Sequence, residues 1–313
     1  MKLRFVINPR SGRSRRTAVI LSHLRDFISH RTLDADMVAT DGPGHATEIA
    51  REAVAAGCTR VVAVGGDGTV NEVAQALIHT PAALCLVPCG SGNGLALHLG
   101  LPKALPEALE LATGTSGRTA ELDTGTANGL PFVNVMGLGL DAEVSRRFNR
   151  LVRRGLPAYA RTALAAFLSR RTERCRITVG EHRETIDALL ISVANSDQYG
   201  NNARIAPHAR VDDGVLDLVA VRPIGVVGAA LFGAQLFLGS IDRNPAVRRL
   251  RGARFLIERH AAGIIHTDGE THAAAASVEV LARPRSLRFI VPQDCAAIAA
   301  EDRAATGFAL QFP

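Results

Sequence analysis

Two glycine-rich stretches and one acidic pair carry the residues of this sequence that could do chemistry. In "VVAVGGDGTVNEVA", residues 61–74, three glycines surround Asp67 where an apolar β-branched run gives way to helical spacing. A helix that opens at such a turn presents unpaired amides and the positive end of its dipole, and glycines without Cβ let an anion reach them. Phosphate suits that arrangement. "PCGSGNGLALHLGLP" repeats the logic, with a strand end, small residues and a helix opening near Asn93. Two such sites on adjacent strand ends can hold the phosphates of one nucleotide. "HTDGE" adds Asp268 and Glu270, two positions apart and pointing the same way if the segment is extended. A carboxylate pair beside a nucleotide can bind a metal ion or take the proton of an attacking hydroxyl. Asp67-Gly68 is also a common hairpin signal, but "TVNEVAQALI" after it reads as helix, and the P-loop's Gly-Lys-Ser/Thr end is missing.

Those turns need strand ends to sit on. The first 115 residues alternate apolar runs with helical patterns: "LRFVIN" before a helix over 14–29, "ADMVAT" before 44–56, "RVVAVG" before 70–79, and "ALCLVP" before helical stretches reaching 113. This alternation predicts an α/β domain with a doubly wound, mainly parallel sheet, whose ligands lie beyond the carboxyl ends of its strands. Residues 8–12, Thr40, 65–69 and 88–94 then converge on one edge. After "TGTSGRTAELD" the texture changes to short strands divided by Gly, Asn and Asp turns, which predicts a second, mostly antiparallel β domain. The boundary falls near Leu122.

Composition narrows the classes. A chain of 313 residues, 47% hydrophobic, can bury a large core and exceeds the usual single-domain size. Its formal charge of +6 favours anionic partners, but two tyrosines and no tryptophan argue against a base-stacking nucleic-acid platform. The five cysteines show neither a paired framework nor a metal-ligand spacing, as expected of buried thiols in a reducing cytosol. "MKLRFVINP" enters a strand at once without signal-peptide architecture, so a cytoplasmic location is expected. The uncharged run 224–240 falls short of the roughly 20 residues of a spanning helix and reads as buried helix or strand, with membrane contact as the alternative. Residues 146–176 hold ten arginines against one acid, Glu173; this is either a solvated helix face or a basic surface for anionic lipid. His45, His98, His266 and His272 read as hydrogen-bonded side chains, since no pair has a metal spacing tied to a helix face.

Taken together, "NPRSG", "GGDGTVNEV", "PCGSGNGLA", "NVMGLGLDAEV", "ANSDQYGNNARIAPHARVDDGVLDL" and "TDGE", in this order from Asn8 to Glu270, resemble the diacylglycerol kinase and sphingosine kinase family of lipid kinases. The likeness is greatest to the bacterial soluble diacylglycerol kinase-like branch. The resemblance implies ATP- and Mg²⁺-dependent phosphorylation of a lipid hydroxyl in phospholipid metabolism, at a nucleotide cleft between residues 1–122 and a C-terminal β-sandwich, residues 123–285. It implies that the tail, 286–313, packs back on the first domain. The nucleotide would meet Asn8, Pro9, Arg10, Ser11, Gly12, Thr40, Gly65, Gly66, Asp67, Gly68, Thr69, Asn71, Ser91, Gly92 and Asn93. Asp67 and Asp123 would face the catalytic Mg²⁺, and Glu270 would be the general base, with Asp268 and Asp67 as rivals. A structural metal would sit on the Asp213 carboxylate and the carbonyls of Arg210 and Val215; a plain Asp-Gly turn is the alternative. Implied partners are a lipid substrate, peripheral contact with an anionic membrane and a homodimer.

One departure stands out. Bacterial diacylglycerol kinases often carry an acid after the asparagine of the second loop, whereas Gly94 follows Asn93 here. That brings the loop nearer to the sphingosine kinase form, while "GGDGT" keeps the diacylglycerol kinase form. An NAD kinase-type enzyme shares the "GGDG" turn, and a nucleotide-binding module without turnover is the reading that Gly94 motivates.

Overall fold

The computed structural model describes residues 1–11, 14–151, 156–169 and 171–298. Gly12, Arg153, Arg154, Arg170 and the tail beyond 298 lie outside the described residues. The elements of the first part are β1 (Leu3–Ile7), α1 (Ser14–His30), β2 (Ala35–Ala39), α2 (His45–Ala55), β3 (Arg60–Gly65), α3 (Asp67–Leu77), β4 (Ala83–Pro88), α4 (Gly94–His98) and α5 (Leu105–Thr113). There follow β5 (Gly117–Ala127), β6 (Leu130–Phe132), β7 (Val135–Gly139), α6 (Leu140–Asn149), α7 (Leu156–Leu168), β8 (Glu173–Val179), β9 (His182–Ala188), β10 (Leu190–Ala194) and β11 (Leu216–Val221). The last are α8 (Val226–Leu238), β12 (Val247–Gly252), β13 (Arg254–Glu258), β14 (Gly263–Thr267), β15 (Glu270–Ala274) and β16 (Ser277–Pro292).

The first four strands pair in parallel in the order β2-β1-β3-β4. Val61 to Val64 are buried throughout because helices cover both faces of a parallel sheet, so the run needs no polar alternation. The order reverses between β1 and β3, which opens a crevice at the ends of these two strands. α3 starts at Asp67 rather than at Val70, because residues 67–69 form its first turn after the Gly66 cap.

The second part is a β-sandwich. One layer is the antiparallel sheet β12-β11-β10-β7-β14-β15, and the other is the continuation of the first sheet through β16, β13, β8 and β9, with β5 and β6 beside β16. Phe132, Ile177, Ile191, Leu218 and Phe255 fill the space between the layers. β16 joins both parts: residues 277–281 pair with β13, whereas Leu287, Phe289, Ile290 and Val291 enter the same core as Phe5, Val62 and Leu84. The expected boundary at 122/123 thus falls inside β5, which runs unbroken beside β16 across both parts. α8 covers the outer face of the six-stranded sheet, where Phe232 packs with Val135, Leu190, Val219 and Val221. The uncharged run expected to be buried is therefore buried on one side only.

Candidate active site

β1 and β3 are neighbours at the point of reversal, so their terminal loops lie side by side. Asn8 shapes the first loop: its carboxamide oxygen accepts the Arg10 amide at 2.9 Å, and its backbone carbonyl accepts the Ser11 amide at 3.1 Å. Its Nδ2 donates to Thr69 Oγ1 at 3.1 Å, which fastens this loop to the first turn of α3. Pro9 is half-buried and Arg10 exposed on the same loop, and Thr40 is buried at the end of β2 with its amide on the Ile7 carbonyl. The opening amides of α3 have no intrahelical acceptors and face this crevice.

The two glycine loops touch. A Cβ on Gly66 would stand 3.0 Å from Gly90 Cα, one on Gly90 would stand 2.5 Å from Gly66 Cα, and one on Gly65 would collide with Thr69. Asn93 closes the second loop in the left-handed region, φ 52°, by accepting the Gly90 amide and donating to the Gly90 carbonyl, both at 2.9 Å. Ser91 is exposed at the tip. Gly68 differs from its neighbours in that a Cβ there meets nothing within 4 Å. Gly68→Val should therefore fold normally while filling the space through which an anion approaches the α3 amides. Its ATP affinity, measured by calorimetry, should fall at least about tenfold with an unchanged melt, since direct approach to the backbone requires the missing Cβ. Unchanged affinity would remove the α3 turn from the nucleotide site.

The carboxylates divide into three kinds. Asp67 is half-buried and accepts the Gly94 amide at 2.7 Å, so it caps the short helix after the second loop. Burial, opposed by the Gly94 amide and aided by the nearby Asp268 charge, pushes its pKa up to about 6. Asp268 has both oxygens engaged: Asn71 Nδ2 and the Val133 amide reach one, each at 2.8 Å, while the Asn134 and Val135 amides reach the other at 2.8 and 2.9 Å. Its pKa is raised by burial, against the pull of those donors. Glu270 is exposed, and its side chain has no hydrogen bond or ion pair among the described residues. The expectation that Asp268 and Glu270 point the same way is corrected. Asp268 and Gly269 have φ of 48° and 88° and form a hairpin turn between β14 and β15, with Thr267 paired to Glu270.

Similarities to known proteins identify the family. The family described as diacylglycerol kinase catalytic domain matches residues 2–127, and that described as YegS C-terminal NAD kinase beta sandwich-like domain matches 134–291. The probable lipid kinase YegS of Salmonella paratyphi A is 32% identical over 262 residues, which span 80% of this chain and 84% of that one. The chain belongs to the diacylglycerol kinase-like family of lipid kinases. A probable lipid kinase, YegS-like, of Chromohalobacter salexigens is 30% identical over 223 residues, 69% of this chain and 70% of that one. In fold, a candidate diacylglycerol kinase from Bacillus anthracis str. Sterne aligns with a TM-score of 0.79 at 23% identity, over 94% of this chain and 96% of that chain.

Several expected site residues of this lipid kinase have other work in the structure. The Asn71 side chain is engaged elsewhere: its Nδ2 donates to Asp268, and its Oδ1 accepts Gln75 Nε2 at 2.6 Å. It links α3 to the hairpin that carries Glu270. Asp123 does not join Asp67. Its oxygens accept the Gly214 and Arg285 amides at 2.6 and 2.8 Å, where β16 shifts register beside β5, and burial raises its pKa against those two bonds. The residues at 210–215 do not fit a metal. The Asp213 carboxylate already meets the Arg251 guanidinium and the Val215 amide, and Arg210 pairs with Asp212, so the chain supplies the positive charge itself. Asp123→Ala should leave two half-buried amides without their carboxylate acceptor and cost about 1–2 kcal/mol. A lower melting temperature with an unchanged Mg²⁺ dependence of activity is the expected result; altered Mg²⁺ dependence would return Asp123 to the metal.

A buried polar network escaped the sequence reading. His266 Nδ1 accepts the Gly269 amide at 3.2 Å, and its Nε2 lies 3.1 Å from Asp141. Asp141 also accepts Ser192 Oγ at 2.6 Å and the Tyr199 hydroxyl at 2.8 Å. Asn149 Nδ2 donates to the Gly269 carbonyl at 2.7 Å, so the Glu270 hairpin is held from both sides of Gly269. Gly137 is required beneath this network, because a Cβ there would collide with Asp141 and His266. The next loop backs the glycine cradle: the Asn201 amide donates to the Gly92 carbonyl at 3.0 Å, and a Cβ on Gly94 would stand 3.2 Å from Gln198 O and Gly200 N. That close approach favours glycine at 94, since a side chain there would push the 198–200 loop back by a few tenths of an ångström. His98 pairs with Asp197 at 2.9 Å in the same neighbourhood; burial works to raise the Asp197 pKa, but His98, Gln198 and Arg204 bring it below its ordinary value. The signals in the sequence were Gly137 and Gly139 of "NVMGLGLD", which mark close approach but not its partners.

Proposed function

We propose that this lipid kinase transfers the γ-phosphate of ATP, with Mg²⁺, to the hydroxyl of a diacylglycerol-like or sphingoid acceptor, as a cytoplasmic enzyme of phospholipid metabolism that works at the membrane surface. The observation that carries the reading is the meeting of the two glycine loops around the capping carboxylate of Asp67, at the start of the helix whose Asn71 holds the Asp268–Glu270 hairpin. Residues 1–122 would serve the nucleotide and 123–285 the lipid, with the acceptor entering between them.

The chain's own groups suit these roles. The opening amides of α3 and the loop at Ser91 to Asn93 would bind phosphate oxygens, and the 8–11 loop, tied to Thr69, would close the crevice over them. Asp67 offers one carboxylate beside that cradle, which fits an ion that keeps most of its oxygen ligands from phosphate and water. When bound, Mg²⁺ would neutralise charge on the phosphates. Glu270, whose side chain has no partner among the described residues, on a hairpin held at Asp268 and Gly269, would take the proton from the acceptor hydroxyl. Asp268, saturated by four donors, positions rather than accepts.

The acceptor can be found by offering γ-labelled ATP with diacylglycerols, sphingosines, ceramides, monoacylglycerols and NAD as rival acceptors. Label in a lipid product is expected. Label in NAD alone would favour the NAD kinase-type reading that the sandwich's family description suggests.

A further inference from the structure

We propose that the exposed face of α8 is the surface by which this protein lies on an anionic bilayer. The proposal rests on the lipid-kinase reading above and gives it a docking element. No residue from 226 to 238 is charged, yet only Phe232 of α8 is buried. Val227 is 84% and Leu238 78% exposed; with Leu231 and the exposed Ala230 and Ala234 they form a stripe at helical spacing. An apolar stripe of this kind, open to water on a protein of ordinary surface, marks an interaction site.

Charge selects the occupant. Arg222 precedes the helix and Arg243 follows it; both are exposed, and neither has an ion pair among the described residues. The nearby acid, Asp242, is held by Arg249 at 2.7 Å. A cleft at the C-terminal end of α8 brings Leu238 together with Ser240, Arg243, Asp242 and His208, the last two paired with each other at 3.1 Å. Apolar residues flanked by free arginines fit the boundary between acyl chains and anionic headgroups. A partner subunit would need complementary acids or a matching stripe, and the free arginines at both ends would face each other in a symmetric pair. No helix among the described residues is long and apolar enough to cross a membrane, so α8 would lie in the plane of the surface.

The location agrees with the chemistry. α8 and α6 cover the same face of the six-stranded sheet, and α7, with Leu164 and Leu168 exposed, packs on α6. The Arg204 amide donates to the Leu236 carbonyl at 2.8 Å, and the adjoining 198–201 loop lies against Gly92 and Gly94. The segment 198–204 therefore touches α8 at one end and the glycine cradle at the other.

The test compares wild type with a Val227→Ser, Leu231→Ser, Leu238→Ser variant and with an Arg222→Gln, Arg243→Gln variant on vesicles of phosphatidylcholine with and without phosphatidylglycerol. The serine variant should partition at least about tenfold more weakly and keep its activity on a monomeric short-chain lipid. The glutamine variant should lose most of the gain that phosphatidylglycerol gives and become insensitive to salt. Should the triple variant melt early, Val227→Ser alone, at an almost fully exposed position, should still weaken partitioning. Partitioning within twofold of wild type overturns the proposal, and a dimer that dissociates in the serine variant with unchanged partitioning assigns the face to a second copy. A wild type that binds vesicles through α8 but phosphorylates no short-chain lipid would contradict the proposed function and leave the docking surface standing.

Discussion

Asp67→Asn is expected to abolish turnover and, at the same time, to make the metal-free protein more stable at neutral pH. The two effects have one cause. Burial raises the Asp67 pKa to about 6 from the ordinary value of 3.8, so the folded chain holds this proton more tightly than the unfolded chain does. The corresponding stability is fully present below about pH 4 and is lost as pH rises through about 6. Above that, the ionised carboxylate is a cost that asparagine avoids, while its amide oxygen still accepts the Gly94 amide. With the shift discounted for partial solvent access, the gain at pH 7.5 is about 1–3 kcal/mol, or several degrees in melting temperature. Thermal melts in chelator between pH 4 and 8 should show the wild type and the variant converging at the acid end. A variant less stable than wild type at pH 7.5 would mean that Asp67 is a structural cap and no more.

Glu270→Gln is expected to lower kcat by about 10²-fold or more with little change in ATP affinity, because glutamine keeps the shape and loses the basicity. Its exposure makes the experiment clean: no partner is orphaned and no core is disturbed. Asp268→Asn should behave differently. It replaces an acceptor of four donors by a group that can satisfy only some of them, so the hairpin loosens and the melting temperature falls along with activity. Rapid-quench single turnovers at saturating ATP separate the two. A Glu270→Gln enzyme that keeps most of its rate, beside an Asp67→Asn enzyme that loses it, would move the base to Asp67 in the manner of the sphingosine kinase arrangement.

The first half of the site was legible because its chemistry is local. Glycine spacing at strand ends, as at Gly66 and Gly90, reports a turn that short-range sterics dictate, and strand alternation places those turns on one edge. What stayed hidden depends on partners far along the chain. The carboxylates of "TDGE" point the same way only if the segment is extended, and Asp-Gly is also a strong two-residue hairpin signal; the positive φ of Asp268 and Gly269 shows that the hairpin forms. The family resemblance implies ligand roles for Asn71 and Asp123; only the fold shows that one meets Asp268 and the other the Gly214 and Arg285 amides. The course of β16 through both parts could not be seen either, since a long apolar strand carries no mark of where its neighbours change. Gly94 reads in the sequence as a missing acid, and the structure adds a close approach of the 198–200 loop that favours glycine there.

The central claim is that this cradle delivers the γ-phosphate of ATP to a lipid hydroxyl. It is tested most directly by incubating wild type and Asp67→Asn with γ-labelled ATP, Mg²⁺ and a mixed bacterial lipid extract, and then separating organic from aqueous phases. Label that enters the organic phase with wild type, and does not with Asp67→Asn, is the predicted result. Label that stays aqueous with both proteins, as free phosphate or in a soluble acceptor, would contradict it.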